Sequence, residues 1–100
     1  MTTTRTLASA DPADGAPIST VAVVGLGYIG LPTAAALGRA GLRVIGVDTS
    51  AARVAAVGRG EPPFVEAGLR QAIAEQIMRG RLTAQQAMPR ADAYVVAVPT

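Results

Sequence analysis

The chain has 100 residues, half of them hydrophobic, and a formal net charge of +2. It contains no Cys and no His, and its nine basic residues are all Arg. These absences exclude disulfides, thiolate zinc sites, Cys or His nucleophile–base pairs, Schiff-base lysines and the P-loop lysine. What remains is a binding site built mostly of backbone, or a piece of a larger protein.

The distribution of charge and of apolar residues argues against several classes of partner. The arginines are scattered and only three aromatic residues are present, whereas a nucleic-acid binder shows a basic stripe with stacking aromatics. No apolar run approaches the roughly 18 residues of a membrane span, and no secretory signal follows the N-terminus. We therefore expect a cytoplasmic protein with no metal site, no nucleic-acid partner and no membrane partner.

The first 18 residues have almost no large apolar side chain, and we expect residues 1–18 to form a disordered tail. After it, short apolar runs alternate with helical patterns. Continuous apolar and β-branched residues predict buried strands at three places, and a fourth, shorter strand is predicted between the last two, giving the ranges 20–24, 43–47, 81–84 and 93–98.

Three helices are predicted between these strands. The first has an apolar stripe and Gly41 as its cap, the second has Ser50 as its N-cap, and the third ends at Gly80. The residues expected to face inward are, helix by helix, Ile29, Thr33, Ala36, Leu37 and Ala40; then Ala51, Val54, Ala55 and Gly58; then Leu69, Ala72, Ile73, Gln76 and Ile77. Strands that alternate with helices predict βαβ units and a parallel α/β sheet.

A glycine motif follows the first buried strand. Gly25-Leu26-Gly27-Tyr28-Ile29-Gly30 reads G-x-G-x-x-G, opens a helix and leads into a second strand. Gly25 permits a tight turn, Gly27 lets the backbone approach a pyrophosphate, and Gly30 lets the helix pack close to the sheet. This context favours a dinucleotide site over ordinary tight turns. It predicts a Rossmann-type doubly wound parallel sheet, of which residues 19–100 are the truncated N-terminal portion.

An acidic residue follows at the spacing that this motif requires. Asp48 ends the second strand, 18 residues after Gly30, where a carboxylate accepts hydrogen bonds from the adenosine ribose and repels a 2′-phosphate. NAD is therefore favoured over NADP. Arg53 lies one helical turn further on and could reach the adenine or ribose. Asp48 could instead be an N-cap carboxylate, and Arg53 a solvated charge.

These residues also carry a family resemblance. The stretches Val23–Ala34, VIGVD at 44–48, RGEPPFVEAGL at 59–69 and ADAYVVAVPT at 91–100 resemble the UDP-glucose/GDP-mannose dehydrogenase family. Tyr-Ile and Leu-Pro-Thr-Ala resemble the members that act on UDP-N-acetyl-D-mannosamine. One departure is Ala67, where the family usually has Pro at the start of a helix.

The resemblance implies the oxidation of a UDP-sugar C6 alcohol to a carboxylate with reduction of two NAD. It implies backbone contacts to the cofactor from Tyr28 and Ile29, and further contacts from Val98, Pro99 and Thr100 after the last strand. The family's second step uses a Cys and a Lys that this chain lacks, so no catalytic residue is expected within it. The complete enzyme is expected to be a homo-oligomer, and the 100 residues alone are expected to be inactive.

Two other functions stay open from the residues alone. A nucleotide-sensing module uses the same glycine motif and acidic residue without chemistry, and a β-hydroxyacid-type dehydrogenase is also NAD-dependent. The stretches at 59–69 and 98–100 argue against the first. The second would carry a different motif after the final strand.

Overall fold

The computed structural model describes residues 4–10 and 17–99 of the chain. Its elements, in chain order, are β1 (Thr4–Ala10), β2 (Thr20–Val24), α1 (Gly30–Arg39), β3 (Arg43–Val47), α2 (Ala51–Gly58), α3 (Leu69–Met78), β4 (Leu82–Gln85) and β5 (Ala93–Pro99). Within these ranges, no helix is both long and apolar enough to cross a bilayer.

The parallel strands form where the sequence has short apolar runs. The bounds of β2 and β3 agree with the predicted ranges, and β4 begins one residue later than predicted. Val21, Ala22 and Val23 at the centre of β2 are buried, as expected for a strand covered on both faces. β2 pairs with β3 from Thr20↔Arg43 to Val24↔Val47, and on its other side with β5.

The order of the parallel strands is β4-β3-β2-β5. It corresponds to the order 3-2-1-4 that begins a Rossmann sheet, which confirms the predicted fold class. From β2 the chain adds strands on one side, then crosses over to add β5 on the other. A crevice opens at such a reversal, beside the carboxyl ends of the strands, and this is where open α/β sheets bind ligands.

The structure differs from the expected disordered tail at residues 4–10. These residues form β1, which pairs antiparallel with β5 from Thr4↔Pro99 to Ala10↔Ala93. The outer edge of β5 offers a row of backbone N–H and C=O groups, and such an edge pairs with any extended segment that can reach it. Residues 1–3 and 11–16 of the expected tail lie outside the described residues.

The spacing of apolar residues predicts the buried face correctly for one of the three helices. The prediction is confirmed for α3, which buries Leu69, Ile73 and Gln76. It is wrong for α1 and for α2, where Val57 is the buried residue. The face that α1 buries consists mostly of small residues, which let it lie close to the sheet and to α3: Gly30, Leu31, Ala34, Ala35 and Gly38.

The contact between α1 and α3 includes a buried polar side chain. Gln76 is 1% exposed, and a Cβ built at Gly38 would lie 3.0 Å from its Oε1. That oxygen has no hydrogen-bond donor among the described residues. The apolar core around it is continuous and includes Val23, Leu26, Leu31, Val44, Val57, Ile73 and Leu82.

Candidate dinucleotide-binding cleft

A cleft of about 820 Å³ opens at the carboxyl ends of β2 and β3, on the side of the sheet where the strand order reverses. Its volume lies within the range of small-molecule and cofactor sites. Most of its walls are backbone and apolar side chains, with one acidic and one basic residue: Val24, Gly25, Leu26, Gly27, Tyr28, Ile29, Val47, Asp48, Thr49, Arg53, Gln86, Met88 and Ala97.

The glycine motif forms a tight turn at the end of β2. Gly25 has φ of 100°, in the left-handed region that favours glycine, and its N–H donates to the carbonyl oxygen of Val47 (2.8 Å). A Cβ at Gly30 would overlap the carbonyl oxygen of Gly25. A Cβ at Gly27 would meet nothing within 4 Å. The protein therefore needs Gly25 and Gly30 for the turn itself, whereas Gly27 leaves open space on the cleft side.

The turn presents unpaired backbone donors. The N–H groups of residues 27–30 have no acceptor among the described residues, although the carbonyl oxygens of Gly27 and Ile29 accept from Leu31 (3.1 Å) and Thr33 (3.1 Å). Pro32, the third residue of α1, has no N–H to leave unpaired. No acidic residue lies in the first turn of α1. Free N–H groups and the positive end of the helix dipole together favour a bound anion such as a pyrophosphate.

Asp48 directly follows β3, and its carboxylate is hydrogen-bonded to the glycine turn. Its side chain is 9% exposed. Oδ2 accepts from the N–H of Leu26 (2.9 Å), and Oδ1 accepts from the N–H of Ser50 (2.9 Å). The expected ribose-binding carboxylate is therefore also the acceptor that fixes the glycine turn to the start of α2. Among the described residues Oδ1 accepts from Ser50 alone, which leaves it a second lone pair for a ligand hydroxyl.

Arg53 is brought to the same carboxylate by α2. Ser50 caps this helix as predicted, because its Oγ accepts from the N–H of Arg53 (3.1 Å). The Arg53 side chain reaches the carboxylate, with Nη1 3.4 Å from Oδ2 of Asp48. Burial alone would raise the pKa of Asp48. The hydrogen bonds from Leu26 and Ser50 and the charge of Arg53 outweigh it and hold that pKa below its ordinary value of 3.8. The carboxylate is therefore charged at neutral pH.

The loop after β4 supplies a cleft wall that the sequence analysis did not identify. Gln86 and Met88 line the cleft, and Met88 is 60% exposed. Nε2 of Gln86 donates to the carbonyl oxygen of Thr49 (2.9 Å), which ties the loop to the β3–α2 connection. At its far end the loop is held by Tyr94, whose hydroxyl donates to the carbonyl oxygen of Pro89 (3.0 Å). Met88 thus presents an apolar side chain on a braced loop.

The remaining predicted site residues belong to the glycine turn or to the end of the chain. Tyr28 and Ile29 line the cleft, whereas Gly30 supports the turn from behind. Val98 and Pro99 belong to β5, with their backbones paired to Arg5 and Thr4 of β1. Thr100 lies outside the described residues.

A second buttressing carboxylate lies at the opposite end of the sheet. Oδ2 of Asp92, before β5, accepts from the N–H of Ser19 (3.0 Å), from its hydroxyl (3.0 Å) and from the N–H of Thr20 (2.9 Å). These hydrogen bonds lower the pKa of Asp92 below 3.8. Asp92 resembles Asp48 in accepting two backbone N–H groups, but it does not line the cleft.

The strand order, the glycine turn with its free donors and the carboxylate at the end of the second parallel strand define a dinucleotide-binding domain. Comparison with known proteins gives the family. Residues 19–100 match the family model described as UDP-glucose/GDP-mannose dehydrogenase family, NAD binding domain. The chain belongs to this family, whose domain binds NAD.

Relatives and solved structures agree with this assignment. The chain is 45% identical over 82 residues to the UDP-N-acetyl-D-mannosamine dehydrogenase of Salmonella typhi, covering 82% of this chain and 20% of that protein. It is similar to the UDP-N-acetyl-mannosamine dehydrogenase structure from Staphylococcus aureus (TM-score 0.71, 34% identity, 74% of this chain and 18% of that one). It is also similar to the GDP-mannose dehydrogenase structure from Pseudomonas aeruginosa (TM-score 0.64, 35% identity, 65% and 15%). The chain spans about a fifth of the length of the Salmonella relative.

Proposed function

We propose that this chain holds NAD for a nucleotide-sugar 6-dehydrogenase. The reaction is the oxidation of the C6 alcohol of a UDP-sugar, UDP-N-acetyl-D-mannosamine, to the uronate, with two NAD reduced. The observation that carries the cofactor role is that one cleft contains both the charged Asp48 and the N–H groups of residues 27–29, which have no acceptor among the described residues. The choice of sugar rests on relatives named UDP-N-acetyl-D-mannosamine dehydrogenase.

The described residues fit two parts of NAD, its pyrophosphate and its adenosine ribose. The N–H groups of Gly27, Tyr28 and Ile29 would bind the pyrophosphate without a cationic side chain. Asp48 would accept a ribose hydroxyl through the lone pair that Oδ1 keeps beside its hydrogen bond from Ser50. Bound NAD supplies the hydride acceptor for each oxidation.

The adenine would lie between Arg53 and Met88. Both side chains line the cleft, together with Asp48. Arg53 offers a planar guanidinium and Met88 a polarizable thioether, and both groups pack well against aromatic rings. The Arg53 guanidinium, whose charge helps to keep Asp48 ionised, would then also contact the adenine.

The catalytic groups are proposed to lie outside this chain. The family resemblance implies a Cys and a Lys in the second step, and the chain has neither. The role left to these 100 residues is to bind and orient the cofactor. The UDP-sugar and the second copy of a homo-oligomer are the partners proposed for the complete enzyme.

Titration of the chain with ligands tests the cofactor role. Amide chemical shifts followed by NMR give dissociation constants for NAD, ADP-ribose, NADP and nicotinamide mononucleotide, even where binding is weak. We expect shifts at 25–30 and 48–53 with NAD and ADP-ribose, weaker binding of NADP, and little binding of the mononucleotide. Equal affinity for the mononucleotide and ADP-ribose would contradict the proposed orientation.

Asp48→Ala and its control Asp92→Ala separate cofactor selection from general stability. Both variants remove a carboxylate that accepts backbone N–H groups, but only Asp48 lines the cleft. We expect Asp48→Ala to weaken NAD binding and to bring the NAD and NADP affinities closer together. Asp92→Ala should leave their ratio unchanged. An unchanged ratio in Asp48→Ala would assign that residue a structural role alone.

The dehydrogenase activity is tested with the complete enzyme. We expect NAD reduction with UDP-N-acetyl-D-mannosamine, with two NAD consumed per sugar, and none with the 100 residues alone. Specific NAD binding by the complete protein without any sugar oxidation would favour a nucleotide-sensing module instead. Reduction of NAD by the 100 residues alone would contradict the placement of catalysis outside the chain.

A further inference from the structure

An exposed aromatic side chain of the glycine turn stacks on a residue outside the cleft. Tyr28 is 75% exposed, and its ring lies 4.3 Å from that of Phe64 between centroids, with 30° between the ring planes. Phe64 belongs to the connection between α2 and α3 and does not line the cleft. The stack therefore joins the wall of the cleft to a segment that would not touch a ligand there.

The two sides of this stack are anchored very differently. Phe64 is half-buried and packs against the hydrophobic core. The N–H groups of Gly25 and Leu26 tie the start of the turn, and α1 donates to the carbonyl oxygens of Gly27 and Ile29. The N–H groups of residues 27–29, however, have no acceptor among the described residues. Gly27 has no side chain to hold it. The stack of the Tyr28 ring on Phe64 thus connects residues 27–29 of the turn to a side chain that packs against the core.

We infer that Phe64 is a positioning residue for the phosphate-binding turn, acting through the ring of Tyr28. The stack holds the N–H groups of Gly27, Tyr28 and Ile29 in the orientation in which they face the cleft. A site ordered before the ligand arrives loses less conformational entropy on binding, so its affinity is higher. This inference rests on the proposed function in taking the ADP-ribose part of NAD as the ligand.

The size of the effect follows from the strength of an aromatic pair. Such pairs are worth about 0.5–1.5 kcal/mol beyond their buried area. If this stabilisation orders the turn, its loss weakens binding about two- to tenfold. The effect should be the same whichever ring is removed, because the stack exists only when both are present.

The experiment compares Phe64→Leu, Tyr28→Leu, the double variant and Tyr28→Phe with the unchanged chain. Leucine at 64 keeps an apolar side chain against the core but removes the ring. Tyr28→Phe keeps the ring, and no hydrogen bond of its hydroxyl exists among the described residues. Val65→Ala is the matched control, since Val65 is adjacent to Phe64 and fully exposed. Amide hydrogen exchange without ligand, the ADP-ribose dissociation constant and the thermal midpoint are measured for each.

We expect Phe64→Leu and Tyr28→Leu each to weaken ADP-ribose binding about two- to tenfold, and the double variant to be no weaker than either. Val65→Ala should bind as the unchanged chain does. Tyr28→Phe keeps the stacked ring, so its amide exchange at residues 27–30 without ligand should match that of the unchanged chain. Without ligand, faster exchange in Phe64→Leu should be concentrated at residues 27–30. A structural role alone would lower the thermal midpoint and speed exchange throughout the chain.

Three results would overturn the inference. Additive losses in the double variant would mean that the residues act separately. A loss in Tyr28→Leu with none in Phe64→Leu would mean that Tyr28 contacts the ligand directly. Unchanged exchange at 27–30 in Phe64→Leu would mean that the stack does not order the turn. Failure of the unchanged chain to bind ADP-ribose would instead refute the proposed function, and the exchange measurement would still decide whether the stack orders the turn.

Discussion

Replacing Asp48 by Asn tests how much the cleft's carboxylate contributes to the fold. The substitution keeps the shape of the side chain but removes its charge and one of its two acceptor oxygens. In the structure, Oδ2 accepts from the N–H of Leu26 and Oδ1 from the N–H of Ser50. An amide can satisfy only one of these donors, and its NH₂ group then faces the other.

The cost has three parts. A donor left without an acceptor costs about 1–3 kcal/mol, and the retained hydrogen bond loses about 1 kcal/mol when its acceptor is no longer charged. The contact with Arg53 adds little, because that side chain is 43% exposed and its Nη1 lies 3.4 Å away. We therefore expect a loss of about 2–4 kcal/mol, which lowers the thermal midpoint of a 100-residue domain by at least about 8 °C.

The pH dependence of stability checks the electrostatic share of this loss. The pKa of Asp48 is lower in the folded chain than its ordinary 3.8, so its stabilising effect is complete above the unfolded pKa. It is lost as the pH falls through the folded pKa. The difference in stability between the unchanged chain and Asp48→Asn should therefore be constant near neutral pH and shrink below about pH 4.

Chemical denaturation at a series of pH values, with thermal melts at pH 7, makes these measurements. Asp92→Asn serves as the comparison, since the pKa of Asp92 is also lowered but its carboxylate is solvent-exposed. We expect its loss of stability to be smaller. A shift of the midpoint by less than about 4 °C in Asp48→Asn, or a difference that does not change with pH, would refute the role given to this carboxylate.

Four further substitutions test other features. Gly30→Ala should destabilise the chain by about 1–3 kcal/mol or more, because its Cβ would overlap the Gly25 carbonyl. Gly27→Ala should keep the thermal midpoint yet weaken ADP-ribose binding. The reverse pattern would contradict the roles given to the two glycines. Gln76→Met should leave the stability unchanged or raise it by about 1 kcal/mol in denaturant unfolding, since it removes an unpartnered buried oxygen; a large loss would reveal a missed partner. Met88→Ala should weaken ADP-ribose binding and leave inorganic pyrophosphate binding unchanged, and equal effects on both would contradict an adenine contact.

The four parallel strands and the glycine turn could be predicted because their signals are local. A run such as Thr20–Val24 is apolar throughout and ends at a glycine, and β2 has those bounds. The Ser50 cap and the position of Asp48 directly after β3 could be predicted for the same reason, since a cap and a strand end depend on near neighbours.

The helix faces and part of the cleft depend on distant contacts. In an alanine-rich helix several faces are similarly apolar, so the spacing of apolar residues does not predict which face of α1 is buried. The helix is positioned instead by Gly30 and Gly38, which allow close approach. Gln86 and Met88 follow β4, and only the pairing of β4 with β3 brings their loop to the cleft. The stack of Tyr28 on Phe64 likewise joins segments that no local pattern relates.

With the proposed role of Asp48 in selecting NAD, its hydrogen bonds constrain how that preference can be changed by design or in evolution. A switch towards a 2′-phosphate would ordinarily begin by removing the acidic residue at this position. Here the same substitution leaves the donors of Leu26 and Ser50 without their acceptor. A successful switch must therefore introduce a neutral side chain that still accepts from both, or first acquire a stabilising substitution elsewhere. Under the proposed function, cofactor preference and fold stability therefore depend on the same carboxylate.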